Sequence, residues 1–190
     1  MAKRVYFAFD YEDVSDFRAN VVRKHNFLGG VEAAGYLDAS IWEKAKKTDP
    51  AALKRLIDAE LAYTSVTAVL IGSGTWLRRW VRYEIFKSIE KGNRVIGIHI
   101  NSIPDKNRQT KPLGPNPFDN LGLIIESNGK KAKPTEWNGQ QFVSYRDLDA
   151  FAVVERPQAE RAHHWTLVRW LPTYDWVAGA GYKNFNSWIT

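Results

Sequence analysis

The chain of 190 residues contains no cysteine, so neither a disulfide nor a thiolate metal site can form. It has only four histidines. Two of them, His163 and His164, are adjacent and point in different directions, and no Asp, Glu or His set with ligand spacing surrounds them, so no metal is expected. There is no long apolar span, and the start MAKRVYFAFD passes from two basic residues into a strand pattern without a signal peptide. A cytoplasmic protein without membrane attachment is the expectation. No nucleophile elbow frames a serine. No repeat, low-complexity stretch or linker divides the chain, which predicts a single domain over 1–190.

Positive charge is in excess without being concentrated. The net charge of +6 favours polyanions or a phosphate-bearing ligand through the summed field. Yet the basic residues are spread over Arg23–Lys24, Lys44–Lys47, Arg78–Arg79–Arg82 and Lys130–Lys133, and no nucleic-acid motif accompanies them. They read as solvated faces, and nucleic acid is not an expected partner. What the chain has in quantity is apolar: 44% hydrophobic residues, with eight Trp, eight Tyr and nine Phe, enough for a core at this length.

The most patterned stretch runs from Thr64 to Ile100. Ser65–Ile71 and Val95–Ile100 are short Val- and Ile-rich runs, as strands buried on both faces require. Between them Trp76, Leu77, Trp80, Val81, Ile85 and Ile89 recur every three or four residues, a helical stripe with Thr75 placed to cap its start and Gly92 its end. The spacing predicts a parallel β-α-β unit. Elsewhere, Arg4–Phe9 predicts a first strand, and Val14–His25 a helix with Phe17, Val21 and Val22 on its apolar side. Pro50–Leu61 predicts a helix and Leu121–Glu126 a strand. Lys133–Tyr145 reads as a hairpin around Asn138–Gly139, and Asn101–Pro117 as a long loop. The expectation is an α/β fold with a parallel sheet in a core of about 1–125 and a C-terminal elaboration over about 126–190.

Glu84 continues the row Trp76, Trp80, Glu84 on the flank of the buried stripe, where an anion and an aromatic face share one wall. Spacing alone leaves two readings: a partly exposed glutamate paired with Lys87 or Lys91, or a functional carboxylate. Gly72-Ser73-Gly74 can bring backbone N–H groups to a phosphate, but Leu77 stands where a dinucleotide fingerprint needs its third glycine. A plain strand-to-helix turn is the simpler account. Asp10 and Tyr11 follow the first strand at the carboxyl edge where open α/β sheets bind ligands, which makes Phe7, Phe9, Asp10 and Tyr11 candidates for a pocket floor. Asp10 can equally begin a turn or cap a helix.

The start RVYFAFDYEDVSDFR, the block TSVTAVLIGSGTWLRRWVRYEI with its Trp80-x-x-x-Glu84 spacing, and the segments DASIWEKAKKT, LGPNPFD and YDWVAGAGYKNFNSWI resemble TIR domains. The likeness is to the ThsB family of the bacterial Thoeris anti-phage system, over nearly the whole chain. It implies a flavodoxin-type three-layer fold with a central parallel sheet. It implies that Glu84 is catalytic, with Asp38, Ser40 and Trp42 as candidate pocket residues, although Trp42 can equally be core. It further implies an enzyme that takes NAD+ as substrate, uses no cofactor and makes a cyclic ADP-ribose isomer, a messenger to a separate effector protein. Self-association and a non-enzymatic adaptor role stay open beside it.

That chemistry explains how one carboxylate can suffice. Glycosidases pair two because the leaving alkoxide must be protonated. Nicotinamide leaves NAD+ as a neutral base, so one glutamate can stabilise the charge developing at the anomeric carbon. Trp80 offers an aromatic face for the cationic ring.

Overall fold

A computed structural model describes residues 4–27, 32–34 and 49–190. Strand β1 (Arg4–Phe9) alternates its side chains between two cores, with Tyr6 and Ala8 on one side and Val5 and Phe7 on the other. Asp10 caps α1 (Tyr11–Ser15), and the chain then turns at Phe17, whose φ of 66° breaks the helix before α2 (Arg18–Phe27). The single helix expected over Val14–His25 is therefore two. Phe17 is exposed, and the buried residue at the break is Arg18, which donates to the Ile103 and Gln109 carbonyls and so anchors the loop after β4.

Next come β2 (Glu32–Ala34), α3 (Pro50–Leu61), β3 (Val66–Ile71), α4 (Arg79–Lys91) and β4 (Arg94–His99). All six residues of β3 are buried, as its unbroken apolar run predicts. Helix α4 ends at Gly92 in the left-handed region, φ 82°, where a side chain is disfavoured. Its start differs from expectation. Thr75 opens a separate short 3-10 turn and accepts the Gly72 N–H, Leu77 is exposed, and Arg78 stands at the N-cap without a side-chain capping bond to the helix.

The C-terminal half corrects the expected division of the chain. Strands β5 (Leu121–Ile125), β6 (Lys131–Trp137), β7 (Phe142–Ser144), β8 (Phe151–Ala152) and β9 (His164–Thr166) build an antiparallel sheet. The chain then returns: β10 (Thr173–Asp175) pairs in parallel with β4, and α5 (Gly181–Trp188) joins the core that holds Phe7. The antiparallel sheet is thus an insertion within a parallel sheet ordered β2-β1-β3-β4-β10. Residues 126–190 do not form one appended unit. The reason is the apolar, aromatic face of the last segment: Trp176 and Phe185 find cover only against the far side of the parallel sheet.

Asp147, in the segment after β7, ties α3 and α4 to the inserted layer. It accepts from Arg79 at 2.8 and 2.6 Å and lies 3.1 Å from the Lys54 ammonium. The Arg79 guanidinium and Lys54 hold its carboxyl down at about 2. Because this folded value is depressed, the stabilisation is present above the unfolded carboxylate range and is lost as pH falls through about 2. Asp147→Asn is expected to destabilise by about 1–2 kcal/mol at pH 7, allowing for the exposure of Arg79, and to match the parent near pH 2. Urea unfolding at the two pH values checks it. No helix among the described residues is long and apolar enough to cross a membrane.

Candidate active site

Strand order reverses between β1 and β3, so ligands of a sheet like this one are expected outside their carboxyl ends. Much of that crevice is filled by the chain itself. Asp10, 6% exposed, accepts the Glu12 N–H at 3.3 Å and the Arg78 Nε–H at 2.6 Å. Asp13 lies buried beside Gly72 and Thr75, and burial together with the Asp10 charge pushes its carboxyl up to about 6. Gly114, from the loop after β4, packs on Gly72 and Ser73. The Gly-Ser-Gly turn is therefore scaffolding, with Gly72 packed between Asp13 and Gly114. Arg78, Arg79 and Arg82 are each engaged, with Asp10, Asp147 and Glu136 respectively.

Beneath this edge, on the α4 side, sits Glu84. It is 3% exposed, and its Oε1 accepts the Tyr6 hydroxyl at 2.7 Å. Its Oε2 is buried without a hydrogen-bond partner among the described residues. Burial pushes the carboxyl up to about 8, against the opposing effect of the Tyr6 hydrogen bond. The Tyr6 hydroxyl is itself pushed well above its ordinary range, by burial first and the neighbouring Glu84 charge second, so it remains a donor. The pairing of Glu84 with Lys87 or Lys91 does not occur. Lys87 lies by Asp58 and Glu90, and Lys91 donates to the Thr64 carbonyl and to Asn93. Glu84 leaves the flank because α4 is covered on more than one side: Tyr83 reaches Asp58 on α3, and Phe86 packs 4.9 Å from Tyr145 in the inserted layer.

The other candidates scatter. Phe7 is buried in the opposite core, its ring 6.2 Å from Phe185, because strand alternation turns it away from Glu84. Phe9 packs toward that core too, under the Arg23 guanidinium at 5.3 Å. Neither belongs to a floor shared with Glu84, while Tyr11 is half exposed at the start of α1. Trp80 is buried at 7% exposure, with the Arg79 guanidinium 4.8 Å over its ring, so that face is already covered. Asp38, Ser40 and Trp42 lie outside the described residues. Tyr6 is the residue the sequence reasoning missed. Its signal was the period of two in β1, which places Tyr6 and Ala8, not Phe7, on the face that α4 covers. His164 accepts from or donates to Thr135 at 3.0 Å, and no metal-holding cluster of His, Asp or Glu occurs among the described residues.

A cavity of about 290 Å³ opens at the far end of α4, lined by Gly92, Asn93, Ala152, Trp170 and Leu171 among others. It shares no residue with the Glu84 site.

A five-stranded parallel sheet of this order, with a buried glutamate on the helix after β3, defines a TIR-like α/β protein. The chain belongs to the family of the Thoeris protein ThsB, TIR-like domain, whose model matches residues 6–105. A relative from Bacillus cereus (strain MSX-D12), named "Putative cyclic ADP-D-ribose synthase ThsB1", is 53% identical over 191 aligned positions that cover 100% of both chains. The family match takes in Tyr6 and Glu84 and ends in the loop after β4, before the inserted sheet.

Proposed function

We propose that this protein cleaves the nicotinamide–ribose bond of NAD+ and closes the ADP-ribosyl remainder on itself, giving a cyclic ADP-ribose isomer that signals to a separate effector in anti-phage defence. The carrying observation is the Glu84 carboxyl, with one oxygen held by Tyr6 and the other without a hydrogen-bond partner among the described residues. The name of the Bacillus cereus relative supports the same product class.

The bonding changes balance without a second acid. The C–N bond breaks with its electron pair passing to nicotinamide, which leaves neutral. Glu84 in its carboxylate form stabilises the cation at the anomeric carbon. A hydroxyl of the same molecule attacks that carbon, and its proton passes to Oε2. A carboxyl that holds its proton up to about pH 8 is a stronger base than a free one. Glu84 is closed off from solvent, so turnover requires its wall to part for substrate. Reclosure excludes water, which favours ring closure over hydrolysis.

Mass spectrometry after incubation with NAD+ tests the proposal. The expected products are nicotinamide and a species lighter than ADP-ribose by one water. Linear ADP-ribose as sole product overturns the cyclase, and no nicotinamide under conditions that support defence overturns the enzyme. In that case a protein-free filtrate of infected cells also fails to activate the effector, as an adaptor acting by protein contact requires.

Tyr6 positions Glu84 rather than touching the reacting bond. Tyr6→Phe removes the hydrogen bond that favours the carboxylate, so the rising limb of kcat/KM against pH is expected to move about one unit to higher pH. The loss near pH 7 is expected to be about tenfold, with recovery above pH 9. A pH–rate profile unchanged in shape contradicts this role.

A further inference from the structure

Glu84 is a buried carboxyl without a counterion among the described residues. The cations of its own helix are held elsewhere: Arg79 by Asp147, Arg82 by Glu136, Lys87 by Asp58 and Glu90, and Lys91 by the Thr64 carbonyl. On the neighbouring α3, Lys54 lies by Asp147 and Arg55 by Asp49, while Asp58 and Glu60 add negative charge. Strand β3 carries no charged residue, and β1 presents only the neutral Tyr6 hydroxyl to Glu84. One hydrogen bond is too little for a carboxylate taken out of water. The buried surroundings of Oε2 therefore favour either a proton on Glu84 or a positive charge beside it.

We propose that Glu84 rests as a neutral acid in the empty site, and that its missing counterion is the cationic pyridinium ring of the oxidised dinucleotide, whose entry drives the Glu84 proton into solvent. The inference rests on the function proposed above and adds a proton linkage to it. Ring and carboxylate then form a neutral pair in the closed site, so the substrate itself switches its catalytic group into the ionised form. The reduced dinucleotide, whose dihydropyridine ring is uncharged, lacks the group that completes the pair. Discrimination between the two oxidation states thus begins at binding, before any bond breaks.

Calorimetric titration of the full chain with carbocyclic NAD+, whose nicotinamide bond cannot be hydrolysed, tests this in two buffers of different ionisation enthalpy. At pH 7 the expected release is about 0.9 proton per site, falling to about 0.1 at pH 9, where Glu84 is already ionised. Affinity should rise nearly tenfold per unit between pH 6 and 7 and level off above pH 8. Glu84→Gln should bind the same analogue with no release and no such slope. NADH should bind the parent without proton release and at least about tenfold more weakly than the cationic analogue at pH 8. Tyr6→Phe, which keeps the carboxyl, should move the steep region to higher pH.

Release below about 0.3 proton by the parent at pH 7 overturns the inference. So does an equal slope in Glu84→Gln, or the absence of saturable binding of the cationic analogue at millimolar concentration. If Glu84→Gln no longer releases nicotinamide from NAD+ while binding by the parent is pH-independent, only the proton linkage falls. If Glu84→Gln releases nicotinamide at the parental rate, the function on which the linkage rests falls instead.

Discussion

Glu84→Gln is expected to lower nicotinamide release from NAD+ by about 100-fold or more, with the protein fully folded. The amide keeps an oxygen to accept the Tyr6 hydroxyl and fills the same buried space. What it loses is the negative charge at the anomeric carbon and the base that receives the proton of the attacking hydroxyl. Stability should move the other way. The folded-state carboxyl is held up to about 8, above its ordinary value of 4.5. The native state therefore loses stability as pH rises through that window, and the full penalty is present above pH 8. Glu84→Gln does not titrate and escapes it. Its melting temperature relative to the parent should be level near pH 4 and higher by roughly 5 °C or more at pH 8. Nicotinamide release at the parental rate, or a melting difference that shrinks with rising pH, contradicts the assignment. The pair of measurements separates a chemical role from a merely structural one, since a structural glutamate would lose both activity and stability.

Gly114→Ala is expected to cost about 3 kcal/mol or more, a fall in melting temperature of roughly 6–12 °C. A Cβ on Gly114 would stand 2.7 Å from the Gly72 carbonyl carbon and 2.8 Å from Ser73 Cα, and closer still to the Gly72 oxygen. These are backbone atoms, and Gly72 cannot yield because its other side rests on the buried Asp13 carboxyl. The chain must either lift the loop after β4 from the carboxyl edge or distort the turn that leads into α4. Gly92→Ala provides the comparison: its Cβ would meet nothing within 4 Å, and its cost comes only from φ 82°, about 1 kcal/mol. Equal losses in the two variants would show that the contact of Gly114 with Gly72 is not what holds the loop down. Since α4 carries Glu84, the Gly114 variant should also lose activity in proportion to its distortion, measurable well below its melting temperature.

Much of the scaffold was legible in order and type. The apolar runs around Val66–Ile71 and Val95–Ile98 became adjacent parallel strands, and Gly92 closes α4 in the left-handed conformation. These are local choices, governed by side-chain period and by the freedom of glycine. The hairpin at Asn138–Gly139 is likewise local, with φ 100° at the glycine. Where the pattern misled, a distant contact had intervened. Phe17 looks like one more apolar residue of a helix, but Arg18 is drawn under the loop by the Ile103 and Gln109 carbonyls, and the helix breaks at Phe17 to let it pass. Trp170 and Trp176 carry no mark in the sequence to say that one faces the inserted sheet and the other the parallel one.

The sequence by itself determined the α/β class, the β-α-β unit that carries Glu84, and, through its resemblance, the family. It did so because hydrophobic period and capping are properties of neighbouring residues. Only the tertiary structure decided that Glu84 is buried, that Tyr6 and not a lysine is its partner, and that the last strand and helix return to the parallel sheet. Tyr6 and Glu84 lie 78 residues apart in the chain, and the residues that pair between β4 and β10 lie 76 apart. Which face of β1 meets α4, and what then surrounds a carboxyl, is set when the layers close and water leaves, not by the spacing along any one of them.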